Sequence, residues 1–236
     1  MVERAIASGV KYMFLPNIDS TSVQGMHNIC ERFPENCFPM MGLHPTSVKD
    51  NYRDELKQVE KLLGSSTYYG VGETGIDLYW DKTHYREQVA AFNFQIDLAL
   101  EHGLPLVIHA RESFTEIFRV LENRDIQGLE GVFHCFTGTL EEAKRAIGLG
   151  FMLGIGGVLT YKNSGLDNVI AELGAEQLIL ETDAPFLPPV PHRGKRNESA
   201  YVIHVADKLA DILGLSAREI ATITTGNASR LFNMNL

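Results

Sequence analysis

Residues 84–109 read HYREQVAAFNFQIDLALEHGLPLVIH. Val89, Phe92, Ile96 and Leu100 recur at the spacing of a helical face, which predicts an amphipathic helix over 84–101. Leu104–Ile108 is then a short, almost continuously apolar run, as expected of a strand buried on both faces. That run ends on a histidine, His109.

The same unit recurs in both directions. Further apolar runs occupy Lys11–Pro16, Phe38–Leu43, Tyr68–Gly72, Gly131–Phe133, Phe151–Ile155 and Leu178–Leu180. Helical patterns lie between them: Asp50–Leu63 carries Leu56, Val59, Leu62 and Leu63 on one face, and Thr139–Gly148 opens with the capping-box pattern Thr139-Leu140-Glu141-Glu142. The runs end near 16, 44, 73, 109, 134, 155 and 183, in steps of 28, 29, 36, 25, 21 and 28 residues. A strand, a helix and two loops take about thirty. After Asp183 the rhythm stops, and two helices over about 198–213 and 216–232 close the chain.

Repeated βα units with buried parallel strands form either a closed (β/α)8 barrel or an open doubly wound sheet. The 236 residues, free of internal linkers, fit one barrel domain spanning 1–236. Seven runs are one short of a barrel. A step of about 28 residues back from 16 places the eighth strand upstream of Met1, and the chain opens inside a helical pattern, VERAIASGV, with Gly9 as its terminating residue. The expected fold is therefore α/β, a TIM (β/α)8-type barrel lacking its first strand. The alternative is a complete seven-strand open structure.

Active residues of such barrels cluster at the C-terminal ends of strands. Those ends carry Glu73, His109, His134 and Asp183. Two imidazoles and two carboxylates converging from four strands suit a divalent cation, zinc or manganese through imidazole, magnesium or manganese through oxygen. Strand alternation places Glu181 and Asp183 on one face and turns Cys135 away from His134. His44, in GLHP, contacts a phosphate or leaving group, or fixes the turn before Pro45. Arg111 shares the face of His109 and points at an anion, or pairs with Glu112 or Glu116. The proline-stiffened loop 185–197, PFLPPVPHRGKRN, presents His192, Arg193, Lys195 and Arg196, the densest basic cluster in the chain. Beside a metal it suits a phosphate-bearing substrate; otherwise it is a solvated loop. Tyr79 and Trp80 stack on a base or roof the barrel. Gly154, Gly156 and Gly157 point to a close backbone approach.

Composition excludes several classes. The net charge of -9 argues against a general polyanion-binding coat, while leaving room for a local basic patch. No apolar run nears the eighteen residues of a membrane span. Cys30, Cys37 and Cys135 show no CxxC spacing, so a cytoplasmic, reducing location is expected. P-loop, GxGxxG, GxSxG and HExxH patterns are absent.

The chain resembles the TatD family of metal-dependent deoxyribonucleases. The matching stretches are GLHP (42–45), GETGIDLYW (72–80), EQVAAFNFQIDLAL (87–100), LPLVIHARES (104–113), HCFTG (134–138), GFMLGIGGVLTYKN (150–163), LETDAPFLPPVPHRGKRNE (180–198) and TGNASRLF (225–232). The resemblance implies a barrel of the metal-dependent hydrolase kind and hydrolysis of phosphodiester bonds, mainly at DNA ends. It also implies one or two divalent ions (Mg, Mn or Zn) held by Glu73, His109, His134 and Asp183. Family members carry a further HxH pair on the first strand. Here histidines stand at 27, 44, 84, 102, 109, 134, 192 and 204, and no two have that spacing. The missing pair belongs to the strand already placed upstream of Met1.

The expected chemistry is metal-assisted attack of water on phosphorus. Asp183 is general base, Glu73 positions the ions, and His44, Arg111, His192, Arg193 and Arg196 bind the substrate phosphates. DNA ends or single strands are the expected partner, with no membrane and no obligate protein partner. Two rivals use the same residues differently: a hydrolase or deaminase of amides or rings, and a shortened, catalytically impaired relative that only binds.

Overall fold

The computed structural model describes residues 1–234. In chain order it contains α1 (Val2–Ala7), β1 (Met13–Pro16), α2 (Val23–Arg32), β2 (Cys37–Met40), α3 (Tyr52–Leu63), β3 (Val71–Asp77), α4 (Tyr85–His102) and β4 (Leu106–Arg111). There follow α5 (Phe114–Glu122), β5 (Gly131–His134), α6 (Leu140–Gly148), β6 (Phe151–Ile155), α7 (Leu166–Leu173), β7 (Leu178–Leu180), α8 (Val202–Leu213) and α9 (Ala217–Leu231). Each of the seven apolar runs contains or leads into a strand. One boundary differs in a way that matters for the site. β3 continues through Asp77, so Glu73 and Asp77 lie inside a strand rather than beyond its end. The continuation is fully enclosed, with Thr74 and Ile76 at zero exposure, and enclosed backbone must find ladder partners. The helix expected from about 198 begins as a 3₁₀ turn, Ser199–Tyr201, and becomes α-helical at Val202.

The chain divides into two compact units, residues 12–132 and residues 1–11 with the chain from 133 onward. In the 12–132 unit, β1 pairs in parallel with β2, from Met13 opposite Cys37 to Pro16 opposite Met40. β3 pairs in parallel with β4, with Gly75 opposite His109 and Asp77 opposite Arg111. Between Val71 and Thr74 the register slips, three steps on β3 against two on β4, which is a bulge next to Glu73. Phe92 and Ile96 of α4, Leu106 and Ile108 of β4, and Ile117 and Phe118 of α5 are fully buried together with Ile76. At about 1.5–3 kcal/mol per large apolar side chain, this core is what holds the strands in place.

α4 turns a different face inward than its apolar spacing predicts. Val89 and Leu100 are only half-buried, whereas Gln88 and Gln95 are buried beside Phe92 and Ile96. Buried amides need partners, and these two glutamines find theirs on strand and loop backbone close to the site.

In the other unit β6 pairs in parallel with β7, Leu153 opposite Leu178 and Ile155 opposite Leu180. Phe136 N–H donates to Gly154 O at 2.9 Å, so the stretch after β5 runs alongside β6. α6 carries the expected capping box from Thr139 and Glu142, and α9 has a second one from Ser216 and Glu219. The Asn227 amide donates to Ala175 O and Leu178 O, at 3.0 and 2.8 Å, and pins α9 to the start of β7. α1 stops where expected, with Gly9 at φ +91°. Its Arg4 grips Glu198 with two nitrogens, at 2.7 and 2.8 Å.

Candidate metal centre

The register of β3 and β4 decides what meets across them. A side-chain carbon on Gly75 would lie 2.2 Å from His109 O, and Gly75 has φ +134°, so only glycine fits this crossing. The close approach puts the His109 ring between two carboxylates. Its Nδ1 is 2.8 Å from Glu73 Oε1 and its Nε2 is 2.9 Å from Asp77 Oδ2. Glu73 and Asp77 are buried. Burial works against a charge on His109, but the bonds to Asp77 and Glu73 outweigh it and raise its pKa to about 9. For Asp77, burial pushes upward. The His109 bond, with the backbone N–H groups of Trp80 and Tyr79, overrides it and leaves the carboxyl below its usual range.

Three buried side chains fix this arrangement from behind. Gln88 Oε1 accepts from Asp77 N–H at 2.9 Å, and its Nε2 donates to Asp77 O at 3.3 Å. One helical heptad later, Gln95 clamps Leu43 in the same way, accepting from its N–H at 2.7 Å and donating to its O at 3.2 Å. Asn17 O accepts from Glu73 N–H at 3.2 Å, while the Asn17 amide donates to Gly42 O at 2.9 Å. The residues flanking His44 and the acids at 73 and 77 are thereby held by main-chain bonds. Sequence reasoning missed all three. The only available signal was two glutamines seven residues apart on the same helical face as Phe92.

His44 fixes its turn, one of the two readings its sequence context allows. Its Nδ1 lies 2.7 Å from Thr46 Oγ1 and 3.1 Å from Thr46 N, which fixes the 3₁₀ turn Pro45–Ser47. Its Nε2 faces the site, 3.6 Å from Glu73 Oε1. If Thr46 N–H donates to Nδ1, the neutral ring carries its proton on Nε2 and is a donor toward an anion. If Nδ1–H donates to Thr46 Oγ1, Nε2 is a lone-pair ligand instead.

These groups fit a divalent cation. Two donors on one ion at about 2.1 Å each must lie within roughly 4.2 Å of one another. Glu73 Oε1 satisfies this with both His109 Nδ1 and His44 Nε2. The ligand atoms of His44, Glu73 and His109 all fall within 4.8 Å of one another. A carboxylate on the far nitrogen, here Asp77, is the usual support of a metal-binding imidazole. Asp77 belongs to the centre by this geometry, although its sequence context reads as a loop acid.

The second unit repeats the device. His134 Nδ1 is in direct contact with Glu181 Oε2, and its Nε2 lies 3.4 Å from Asp183 Oδ1. Glu181 Oε2 also accepts from Cys135 N–H at 2.9 Å. Glu181 fills the space kept open by two glycines: a side-chain carbon on Gly154 or Gly156 would meet its carboxylate at 2.9 or 2.8 Å. The close approach anticipated at LGIGG is thus by a side chain as well as by backbone. Glu181 and Asp183 meet the same histidine. Asp183, however, lies past β7, in a turn at φ +51°, and Cys135 sits at φ +46°. Left-handed backbone after β5 and β7 aims these residues, where a regular strand was expected to.

The four expected ligands therefore appear as two pairs, Glu73 with His109 and His134 with Asp183. Arg111 packs its guanidinium 3.9 Å over the Tyr79 ring and 5.2 Å from Trp80. His192 stacks on Tyr201, centroids 3.8 Å apart and 2° from parallel, with its Nε2 3.2 Å from His204 Nε2. Arg193 lies 4.0 Å over Tyr161, and Arg196 is exposed. The loop carrying them is ordered by Asn197, which is fully buried. Its amide donates to Thr182 O and Phe186 O, at 2.5 and 2.6 Å, and its N–H donates to Pro185 O.

Comparison with known proteins shows the family and the fold. A family model described as TatD related DNase matches residues 1–233. The uncharacterized metal-dependent hydrolase YabD of Bacillus subtilis (strain 168) is 35% identical over 236 residues, covering 100% of this chain and 92% of that protein. The 3'-5' ssDNA/RNA exonuclease TatD of Erwinia tasmaniensis is 30% identical over 240 residues, covering 99% and 93%. The crystal structure of YJJV, a TatD homologue from Escherichia coli k12, matches with a TM-score of 0.92 at 29% identity, over 99% of this chain and 90% of that one. The fold is the α/β TIM-barrel type of these neighbours, and the seven strands among the described residues accord with a barrel short of one. No helix among the described residues is long and apolar enough to cross a membrane.

Proposed function

Because the chain belongs to the TatD family of metal-dependent hydrolases, we propose that it hydrolyses phosphodiester bonds at the ends of DNA strands, as an exonuclease. The observation that carries this reading is the half-buried cluster in which Glu73 Oε1 lies 2.8 Å from His109 and 3.6 Å from His44. Glu73, His109, His134 and Asp183 hold one or two divalent ions, magnesium, manganese or zinc. A cation held there would supply a nucleophilic water near neutral pH and would offset charge on phosphorus-bound oxygens.

The chain's own residues do the rest. Asp77 and Glu181 each hold the far nitrogen of a histidine and so fix which ring nitrogen faces the ion. Asp183 takes the proton of the attacking water. Arg111 and Arg193 neutralise phosphate oxygens, with Arg196 and His192 beside them on the ordered loop. His44 serves in one of two ways set by its tautomer: its Nε2 lone pair joins the cation site, or its Nε2–H donates to a phosphate oxygen. The Erwinia relative, named a 3'-5' exonuclease of single-stranded DNA and RNA, supports a nucleic-acid substrate.

The test is cleavage of single-stranded and duplex DNA by Glu73→Gln and Asp183→Asn, with magnesium or manganese added. Loss of cleavage in both is expected. Undiminished cleavage by both rejects the assignment.

A further inference from the structure

Trp80 is the most exposed large apolar side chain among the described residues, at 69%, and Tyr79 beside it is 50% exposed. The two rings meet edge to face, with centroids 4.9 Å apart at 86°. Arg111 lies against both, closest to Tyr79. Leaving an indole in water forgoes one of the larger burial gains available to any side chain. The loop is nevertheless held in place. Asp77 Oδ1 accepts from Tyr79 N–H at 3.0 Å and from Trp80 N–H at 3.2 Å, and Leu78 N–H donates to Arg111 O at 3.0 Å.

That carboxylate has two jobs. Its Oδ2 holds His109 Nε2 while its Oδ1 holds the backbone under the aromatic pair. The exposed rings are therefore tied, through one rigid buried group, to a histidine of the metal centre. A protein partner would need a far larger apolar patch than two rings. The combination of an indole face with a guanidinium alongside matches a nucleobase and the phosphate attached to it.

We infer that Trp80 and Tyr79, backed by Arg111, form a stacking platform for an unpaired nucleobase next to the bond being cleaved. The inference rests on the phosphodiesterase reading above and adds how the strand end is selected. A base inside a duplex has both faces stacked already, so the platform favours single-stranded ends.

Trp80 is the single tryptophan of the chain, and its emission reports on this surface directly. The magnesium-loaded protein is titrated with a cleavage-resistant phosphorothioate oligothymidylate and with an abasic oligomer of the same length and linkage. Quenching by the thymidylate at concentrations at least fivefold below those needed for the abasic strand is expected. Equal quenching by both, or none by either, overturns the platform. In turnover, Trp80→Ala is expected to raise KM for oligothymidylate about tenfold and to leave KM unchanged on a strand whose terminal residues are abasic. An equal rise on both substrates overturns it as well. Cleavage by the unaltered protein tests the phosphodiesterase reading separately: cleavage without base-dependent quenching sinks the platform alone, and quenching without cleavage sinks the activity alone.

Discussion

The molecule builds a histidine between two carboxylates twice, and by different means. In the 12–132 unit, Glu73, His109 and Asp77 all come from two paired strands, and their distances are 2.8 and 2.9 Å. In the other unit, Glu181 and Asp183 lie beyond β7, and the contact of His134 with Asp183 is 3.4 Å. The first group is set by strand register and by main-chain clamps from Gln88 and Asn17. The second is set by left-handed turns and by a hollow of two glycines. Glu73 and Asp77 have 7% and 2% of their side chains exposed, against 14% and 28% for Glu181 and Asp183. A buried, register-locked group is suited to gripping an ion. A more open carboxylate on a turn is suited to meeting water and taking its proton.

The comparison can be broken most directly by activity. Glu73→Gln is expected to lower kcat/KM by on the order of 1000-fold, with loss of bound metal by elemental analysis. Asp183→Asn is expected to lower kcat comparably while weakening metal binding less than Glu73→Gln does, because Asp183 is the more exposed of the two carboxylates; equal metal loss in both variants would erase the distinction between grip and base. Next in size is stability. Gly75→Ala forces a carbon into backbone at 2.2 Å and is expected to cost about 3 kcal/mol in urea unfolding. Gly156→Ala meets only the end of the Glu181 side chain, so it should cost less than half of that and act on the metal instead. Asp77→Asn and Glu181→Gln should each weaken metal binding about 10- to 100-fold by competition with a fluorescent chelator. Asp77→Asn should be the worse, because it also loosens the Tyr79–Trp80 backbone.

The smallest effect is on pH dependence. In the metal-free chain, His109 titrates near 9 rather than near its usual 6.5. A raised pKa stabilises the fold fully below 6.5, and that contribution is lost as pH climbs through about 9. The urea midpoint of metal-free protein should therefore fall over this window, and Asp77→Asn should flatten the fall.

Much of this was legible in residue order. β6 and β7 stand where Phe151–Ile155 and Leu178–Leu180 place them, because a strand buried on both faces must be apolar at every position. His109 and His134 were legible as polar residues ending apolar runs. Asp77 and Glu181 were not. Neither acid shows its histidine partner in its own stretch of sequence, because that partner is 32 or 47 residues away across the fold. β3 was cut short for a related reason: Glu73, Gly75 and Asp77 interrupt its apolar run, yet the bulge and the close crossing at Gly75 keep it paired. The inward turn of α4 was hidden because glutamine reads as a surface residue until its main-chain partners are known.

The buried Asn197 acts as a clasp joining both ends of a proline-rich span. Between those points the span is tacked down again, by Tyr161 Oη donating to Pro188 O and Val190 N–H donating to Thr160 Oγ1, both at 2.9 Å. Only the exposed tip, Gly194 to Arg196, lies outside these anchors, and there charge can be swapped as in a replaceable cassette while the scaffold stays intact.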